Sequence, residues 1–467
     1  MIEEQRRKEI IREHGKPPVT WPGEPLLGGW YTEEEIEAAV KAIRDSMDWT
    51  VGFGFIIQEI LDFEAAFAKY VGTSECVSIN GAAGGLDMAL ACLDLAPEDE
   101  VIVPSINFRA SAMSVLGQRA KLVLGEIIPR TLQLDPADVV RRLTPNTRVI
   151  LPTHMNGLSA PMDDLLEIAE KHPHPTHGPL KVIGDAARAC GGGYKGTRIG
   201  KKGLMTVFSF HTMKLMTTLG EGGAITTDDP EVAARLREMR MFGNENWGSN
   251  YKMTKVQAAV GLVQVRRLEE MNGLRRQRAQ ERTAMLEGVK EITLPYEPPD
   301  CEHTYYLYTC LVPREWAGEK RDRLCQIMAD DYGVACTVAN PPAHKTIPFI
   351  QRHVGDISLP VSEEIGARLF CPSLHPLMTE EDNAYVCAAL MEAVETVKGT
   401  EDRGPGTNGK AGRALAAGLP VVQTLTGREG RTASAGGRGR GGRRVRRPWR
   451  SSGRCGGRQR ACRPACG

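Results

Sequence analysis

Hydrophobic and polar residues follow two alternating patterns over residues 35–250. Short apolar runs at 101–104, 121–124 and 205–210 are typical of buried strands. Between such runs, apolar residues recur three or four positions apart, as over 162–172, which predicts amphipathic helices. Because strands and helices alternate, we expect an α/β fold with a mainly parallel central sheet and helices on both faces. Ligands of such sheets bind beyond the carboxyl ends of the strands.

The pattern changes after residue 250. Residues 255–289 keep one helical period, which predicts a long linking helix that breaks or bends near Gly273. A smaller α+β domain follows, with a strand over 303–312 and a closing helix over 379–397. We therefore predict four parts: an N-terminal arm (1–34), a large domain (35–250), the linking helix with a small C-terminal domain (251–398) and a low-complexity tail (399–467).

Composition and charge limit the function classes. The 467 residues, 41% of them hydrophobic, suffice for two or three domains with buried cores. Residues 427–467 hold 13 arginines and one acid, a net charge of +12. Since the whole chain carries +1, residues 1–426 have a net charge of −11. An acidic body does not favour a nucleic-acid enzyme. The Arg/Gly-rich tail cannot bury a core, and we expect it to be disordered.

Cysteine and apolar patterns indicate a cytoplasmic protein. Twelve cysteines are scattered without a CxxC pair, which is typical of free thiols in a reducing compartment. The N-terminus is charged throughout, and no run of about 18 apolar residues occurs, so we expect neither a signal peptide nor a membrane span. His172, His174 and His177 stand among prolines without an acid or cysteine, which favours a loop over a metal site.

One lysine lies in an unusual setting. Lys214 follows the apolar run 207–210 and precedes the glycine turn 220–223, among threonines and apolar residues. Removal from water disfavours the charged form of lysine, so the neutral amine becomes available as a nucleophile toward a carbonyl. The alternative is that the side chain simply extends to water.

Four other positions follow predicted strands, each with a structural alternative. The small residues 80–85 can close on an anion at a helix N-terminus, or form an ordinary turn. Phe108 offers a stacking ring or packs in the core. Asp185 is an acid in need of a cation, or the N-cap of a helix. Ser209 contacts a phosphate or faces solvent.

Together these positions provide what pyridoxal phosphate (PLP) requires. The cofactor needs a lysine for its aldehyde, an acid for its pyridinium nitrogen, an aromatic side chain for its ring and a helix N-terminus for its phosphate. All four fall in one predicted α/β domain. We therefore predict a PLP site around Lys214.

Six segments in the same order resemble the DegT/DnrJ/StrS family of sugar aminotransferases, of PLP fold type I. They are DEVIVPSINFRAS, TRVILPTHMNGLSAPMD, VIGDAARACGGGYKG, FSFHTMKLMTTLGEGGA, GSNYKMTKVQAAVGL and LFCPSLHPLMTEED. The resemblance covers residues 35–397. It implies a large PLP-binding domain, a smaller α+β C-terminal domain and a homodimer with shared active sites.

The resemblance also implies a role for each matched residue. Lys214 would bond covalently to the PLP aldehyde. Asp185 would pair with the pyridinium nitrogen, and Phe108 would stack on the ring. The phosphate would be held by Ser209, by the backbone amides of Ala82 and Ala83 and, from the neighbouring subunit, by Asn250.

The chain departs from the family pattern near the cofactor. The phosphate turn is 81–83, Gly-Ala-Ala, where the family has Ser-Gly-Thr, so backbone donors remain and hydroxyls are lost. Arg188 replaces Gln or His, and a cation there could meet the phenolate oxygen or a substrate acid. His211 replaces Tyr and either touches the substrate or packs. His303 and Tyr306 resemble a segment near the family's substrate.

The resemblance implies an aminotransferase that moves an amino group from glutamate or glutamine to a keto-sugar, in amino-sugar or antibiotic biosynthesis. The alternative acceptor is a cyclitol such as an inosose, because the segments KLMT, GSN and MDDL are similar to those of the cyclitol branch. A relative that keeps the fold as a non-catalytic regulatory or partner subunit is the alternative from another class. Lys214 and Asp185 argue against it.

Overall fold

The computed structural model describes residues 1–17, 21–24, 28–50 and 54–399. The predicted low-complexity tail, 399–467, lies outside the described residues apart from its first position. None of the described helices combines the length and the apolar character that a membrane span needs.

Within these residues, the strands form one seven-stranded sheet and three small ones. In chain order the strands are β1 Glu75–Ile79, β2 Glu100–Pro104, β3 Lys121–Gly125, β4 Thr147–Ile150, β5 Lys181–Asp185, β6 Gly193–Tyr194, β7 Thr197–Arg198, β8 Met205–Ser209, β9 Gly223–Thr227, β10 Met241–Gly243, β11 Trp247–Asn250, β12 Cys301–Glu302, β13 Cys310–Leu311, β14 Cys336–Thr337 and β15 Leu369–Pro372.

The helices alternate with the strands through the first half of the chain and dominate the second. In chain order they are α1 Glu4–His14, α2 Glu33–Asp45, α3 Gln58–Val71, α4 Ala82–Ala91, α5 Ala110–Gly117, α6 Pro136–Arg142, α7 Met162–Lys171, α8 Pro230–Arg240, α9 Lys255–Leu286, α10 Glu319–Tyr332, α11 Ala343–Thr346, α12 Pro348–Val354, α13 Pro360–Arg368 and α14 Glu380–Gly399, with 3₁₀ turns at Met155–Gly157 and Arg314–Trp316.

The large sheet has the strand order β1-β9-β8-β5-β4-β2-β3. Its neighbouring strands are parallel except for β9, which runs antiparallel to both β1 and β8. Most strand residues are buried, as expected where helices cover both faces of a parallel sheet. The predicted α/β fold with a mainly parallel sheet is confirmed.

Within the described residues, helices pack against both faces of this sheet. Helices α4, α5 and α8 pack in one apolar core against Val77, Val103 and Val207. Phe208 contributes to a second core with α3 and α9, and Ile102 to a third with α6 and α7. A ligand must therefore approach where the strands end.

Strand β9 was not predicted from the sequence pattern. All five of its residues are buried, so it shows no alternation of buried and exposed side chains. Its first residue, Gly223, pairs with Ile79 on one side and with Ser209 on the other. A Cβ atom at Gly223 would lie 2.6 Å from the carbonyl oxygen of Phe208, so glycine permits this close pairing.

The second half of the chain differs from the prediction in two places. Helix α9 continues through Gly273 without a break. The predicted strand over 303–312 is wrong for most of its length, since only β13 pairs, in the antiparallel sheet β13-β15-β14. Tyr305 adopts a φ of +49°, which an extended strand excludes.

The predicted N-terminal arm contains a helix that docks on the closing helix of the chain. Arg7 of α1 pairs with Glu392 of α14 at 2.7 Å. The ring of His14 stacks on Tyr385 of α14, with ring centres 4.3 Å apart. These contacts tie residues 4–14 to the C-terminal helix.

Candidate active site

Three strands deliver the predicted site residues to one edge of the large sheet. Ile79 ends β1, Asp185 ends β5 and Ser209 ends β8. These three strands run in the same direction, with β9 inserted antiparallel between β1 and β8. The loop after β8 carries Lys214, and the turn after β1 leads into α4.

Asp185, the last residue of β5, is buried at this edge of the sheet, with 3% of its surface exposed. Ser111 Oγ donates to Asp185 Oδ2 at 2.5 Å, and the Ala187 N–H donates to Oδ1 at 3.1 Å. The second bond closes a local turn over 187–188. No helix begins there among the described residues, so the alternative prediction of a helix N-cap at Asp185 is wrong. Among the described residues, no cation forms an ion pair with Asp185. Burying a carboxylate without a cation is costly, so this position suits a cationic ring nitrogen.

The turn after β1 presents backbone donors. Helix α4 begins at Ala82, with Gly81 as its N-cap and no side-chain cap. The first N–H groups of a helix have no partner inside it, so those of Ala82 and Ala83 can bind an anion. A Cβ atom at Gly223 would lie 3.1 Å from the Ala82 nitrogen, so glycine at this position gives the amide room.

Ser209 and His211 lie between this turn and Lys214. Ser209 is buried at the end of β8, and its Oγ accepts a weak bond from the His211 N–H at 3.4 Å. His211 Nδ1 accepts from the Met213 N–H at 3.2 Å. His211 Nε2 lies 3.9 Å from a carboxylate oxygen of Glu221, on the open side of the loop.

The amine of Lys214 lies over the ring of Tyr306. Lys214 Nζ is 3.3 Å from Tyr306 Oη and 4.9 Å from the ring centre. Burial lowers the pKa of Lys214 to about 8, and the charge of Arg188 acts in the same direction, against Glu24 and Asp185. A neutral amine is therefore available near neutral pH.

Arg188 and Tyr306 share a carboxylate from the N-terminal arm. Arg188 is buried, and its Nη1 donates to Asn156 Oδ1 at 3.1 Å. Arg188 Nη2 donates to Glu24 Oε1 at 3.4 Å, and Tyr306 Oη donates to the same oxygen at 2.6 Å. Sequence reasoning missed Glu24, because no motif marks it and it lies more than 150 residues from Arg188.

Phe108 and Ser111 approach the edge from the loop after β2. Phe108 is 43% exposed, too open for a core residue, so its ring can contact a ligand. Ser111 stands three residues later, in the first turn of α5, and bonds to Asp185. Sequence reasoning missed Ser111. The available signal was a hydroxyl in the first helical turn after a strand.

Two predicted residues, His303 and Asn250, make no described contact with Lys214. His303 is buried, stacks on Tyr305 with ring centres 4.1 Å apart, and accepts from the Tyr305 N–H. Burial lowers the pKa of His303 to about 3. None of the described contacts of His303 reaches Lys214. Asn250 ends the β10–β11 hairpin, exposed, with its carbonyl oxygen 3.3 Å from Asn80 Nδ2.

Comparisons with known proteins agree with this architecture. The model of the DegT/DnrJ/EryC1/StrS aminotransferase family matches residues 31–391. The chain is 35% identical over 342 residues to GDP-perosamine synthase of Caulobacter vibrioides, which covers 71% of this chain and 89% of that protein. It is 33% identical over 370 residues to dTDP-3-amino-3,4,6-trideoxy-alpha-D-glucose transaminase of Streptomyces venezuelae, which covers 78% and 93%.

Solved structures show the same fold. DesV of S. venezuelae matches with a TM-score of 0.73 at 32% identity, covering 81% of this chain and 99% of that chain. An aminotransferase from Psychrobacter cryohalolentis matches with a TM-score of 0.73 at 27% identity, covering 82% and 100%. The predicted family resemblance is confirmed. The chain belongs to the DegT/DnrJ/EryC1/StrS aminotransferase family and is a PLP-dependent aminotransferase of fold type I.

Proposed function

We propose that this protein transfers an amino group from glutamate or glutamine to the ketone carbon of a sugar, in the biosynthesis of an amino sugar or an antibiotic. The observation that carries the proposal is the convergence of Lys214, Asp185 and the N-terminus of α4 at one sheet edge. The two relatives described above carry GDP- and dTDP-linked sugars in their names, which supports a nucleotide-linked acceptor.

The residues at this edge fit PLP. When bound, the cofactor supplies an aldehyde that carries the amino group and a ring that accepts electrons. Asp185, buried without a described cationic partner, would hold the ring nitrogen. Phe108 would stack on the ring, and Arg188 would lie beside it. The phosphate would be held by Ser209, by the amides of Ala82 and Ala83 and, from a neighbouring subunit, by Asn250.

Lys214 is the residue that we propose to move protons. Its Nζ would bond to the cofactor at rest and, once released, would accept the proton from the α-carbon of the donor. A pKa of about 8 leaves part of the amine neutral near neutral pH, as a base requires. Tyr306 Oη, 3.3 Å away, accepts from the amine and so directs it. We propose His211 as a substrate contact on the open side of this loop, and His303 as a more distant one.

Cofactor absorbance and a substrate panel test this function together. The purified protein should be yellow, and its absorbance should shift when glutamate or glutamine is added. Nucleotide-linked keto-sugars, free keto-sugars and inososes are then compared as acceptors, with the amino product detected by mass spectrometry. A protein that stays colourless after PLP is supplied would contradict the proposed aminotransferase activity and would favour the alternative of a non-catalytic subunit. If only inososes were aminated, the proposal that the acceptor is a keto-sugar would be wrong and the cyclitol alternative would be favoured.

We propose that the active enzyme is a homodimer with shared sites. One face of α2 exposes Ile36, Val40 and Ile43, and the chain beyond it exposes Met47 and Trp49, the last at 80%. Contiguous exposed apolar residues are typical of protein interfaces. We propose a second copy of the chain as the partner that covers them.

Complementation between two inactive variants tests the shared site. Lys214→Ala and Asn250→Ala should each be impaired alone. Mixed by unfolding and refolding in equal amounts, they should recover about a quarter of wild-type activity, because half of the dimers are mixed and one of their two sites is intact. Light scattering should give the mass of a dimer. A monomeric mass, or a mixture no more active than its parents, would contradict the proposal.

We retain the predicted domain division as a proposal. The seven-stranded sheet falls within residues 35–250, and the sheet β13-β15-β14 falls within 251–398. Limited proteolysis with preferential cleavage near residue 250 would support this boundary.

We also propose a cytoplasmic location, which suits the free cysteines of the described residues. Cell fractionation tests it.

A further inference from the structure

Glu24 is the acidic member of a compact cluster beside the proposed catalytic lysine. Its Oε1 accepts from Tyr306 Oη at 2.6 Å and from Arg188 Nη2 at 3.4 Å. Arg188 and Lys214 lie 5.2 Å and 4.9 Å from the centre of the Tyr306 ring. The Glu24 carboxylate therefore accepts a hydrogen bond from Tyr306, and the side chains of Arg188 and Lys214 both lie close to the Tyr306 ring.

The direction of the hydrogen bonds gives Glu24 a specific task. A tyrosine hydroxyl has one proton to donate and lone pairs to accept with. Because the proton of Tyr306 is engaged by Glu24, its oxygen is left to accept from Lys214 Nζ at 3.3 Å. Without the carboxylate, the Tyr306 hydroxyl could turn its proton toward Lys214 Nζ. Tyr306 would then donate to the amine and no longer accept from it.

The arm segment before Glu24 is tied to the C-terminal part of the chain. Trp21 forms a parallel bridge with Val334, and its N–H donates to the Gly333 carbonyl at 3.0 Å. Gly23 packs so tightly that a Cβ atom there would lie 2.4 Å from the Thr337 nitrogen. These contacts fix the backbone that carries Glu24.

The next described residue after Glu24, Gly28, contacts the backbone of the lysine loop. The Gly28 N–H donates to the Thr212 carbonyl at 2.9 Å. A Cβ atom at Gly28 would lie 2.0 Å from the Lys214 carbonyl oxygen. Arg275, which is buried, donates to the Gly28 carbonyl. The chain is thus anchored on both sides of Glu24.

We propose that Glu24 is a positioning residue of the active site, whose carboxylate orients the Tyr306 hydroxyl and neutralises Arg188 so that the Lys214 amine is held toward the reacting atoms. This inference rests on the proposed catalytic role of Lys214. Glu24 acts through its neighbours and needs no contact with the substrate or the cofactor.

The charge of Glu24 predicts the direction in which the pKa of Lys214 should change when Glu24 is replaced. Burial would raise the pKa of Glu24, but Arg188, the Tyr306 hydroxyl and Lys214 outweigh it, so the pKa lies below its ordinary value and Glu24 is charged at neutral pH. A charge at Glu24 favours the ammonium form of Lys214. Its removal should therefore lower the pKa of the amine. The other titratable groups that act on this cluster are Asp185, Glu221, His211 and Arg275.

Competitive labelling of the PLP-free protein with acetic anhydride measures this directly. The pH dependence of Lys214 acetylation, followed by peptide mass spectrometry, should give a wild-type midpoint at about 8. Glu24→Gln keeps the size of the side chain and removes its charge. Its midpoint should fall by about one pH unit, which raises labelling at pH 7 about five-fold. Glu24→Asp should stay near the wild-type midpoint.

Glu34→Gln is the matched control. Glu34 belongs to the same N-terminal region and pairs with Arg266 at 3.1 Å on the surface. This variant should leave the Lys214 midpoint unchanged, because surface pairs contribute little. Wild-type midpoints in both Glu24→Gln and Glu24→Ala would overturn the proposal. So would an equal shift in Glu34→Gln.

A parallel assay separates this inference from the proposed function. PLP is added to each protein, the mixture is reduced with borohydride, and the labelled peptide is identified. Attachment of PLP at a lysine other than Lys214 would refute the catalytic assignment, whatever Glu24 does. Attachment at Lys214 together with wild-type midpoints in both Glu24→Gln and Glu24→Ala would refute the positioning role alone.

Discussion

The nitrogen end and the phosphate end of the proposed cofactor site are built differently. At the nitrogen end, the buried carboxylate of Asp185 is held by a side chain, Ser111, and by the Ala187 N–H. At the phosphate end, Ala82 and Ala83 offer backbone N–H groups in the uncapped first turn of α4. The nitrogen end therefore depends on one buried carboxylate, whereas at the phosphate end the backbone donors of a helix would add to the Ser209 hydroxyl.

This difference suggests how the turn can lack the hydroxyls of the family pattern described in the sequence analysis. Backbone donors at a helix N-terminus remain in place when the side chains change, provided that the helix starts at the same residue. A carboxylate that pairs with a ring nitrogen has no such substitute. We therefore expect single substitutions to cost far more at the nitrogen end than at the phosphate end.

Lys214 lies in the loop after β8, at the same sheet edge as both ends, and its loss has the largest expected effect. Lys214→Ala removes the nucleophilic amine, so turnover should fall to background, and PLP should remain unlinked after borohydride reduction. Intact-mass spectrometry reports the linkage and product formation reports the turnover. Lys201→Ala, which removes a lysine paired with Asp228 on the surface, should behave as wild type. Normal turnover in Lys214→Ala would refute the assignment.

Substitution of Asp185 breaks the nitrogen end. Asp185→Asn keeps the size of the side chain but loses the charge that would keep the ring nitrogen protonated. The rate of the half-reaction with the amino donor should fall by about 100- to 1,000-fold, as when one preorganised electrostatic group is removed. Stopped-flow absorbance measures this rate. Asp228→Asn, at the opposite end of the sheet, is the control, and a rate within ten-fold of wild type in Asp185→Asn would contradict the role.

The sequence alone located Lys214 and Asp185 because the signal for each is local. Asp185 ends β5 and Lys214 lies in the loop after β8, each with a polar group of the right chemistry. The α/β order predicts that such strand ends share an edge. Ser111 and Glu24 were missed because their partners lie 74 and 164 to 282 residues away. Such contacts depend on how distant segments fold together.

The predicted strand over 303–312 failed for a related reason. Its aromatic residues favour a strand in general, but strand propensity depends strongly on context. Here the Tyr306 hydroxyl bonds to Glu24, and Tyr305 takes a positive φ just before it. Tertiary contacts at the site override the local preference, and only β13 keeps strand geometry.

Removal of the Ser111 hydroxyl weakens the nitrogen end without destroying it. Ser111→Ala deletes the 2.5 Å bond to Asp185, so the carboxylate group remains but loses one of the two contacts that orient it. The half-reaction should slow about five-fold, which corresponds to about 1 kcal/mol for one hydrogen bond. Ser114→Ala, which changes another buried serine of α5, is the control. Equal effects in the two variants would attribute the loss to packing in α5 and contradict the specific role of Ser111.

Restoration of a hydroxyl at the phosphate end should produce the smallest change, and a gain. Ala83 is exposed at the start of α4, so Ala83→Thr has room for its side chain and can add a donor to the backbone amides. We expect the dissociation constant of PLP to fall about three- to ten-fold, the size of one added hydrogen bond to an anion. Ala91→Thr, at the other end of α4, controls for helix stability. Because we propose that backbone amides already bind the phosphate, a larger gain would mean that helix geometry alone is insufficient. An unchanged dissociation constant would contradict the prediction and show that the amides need no hydroxyl.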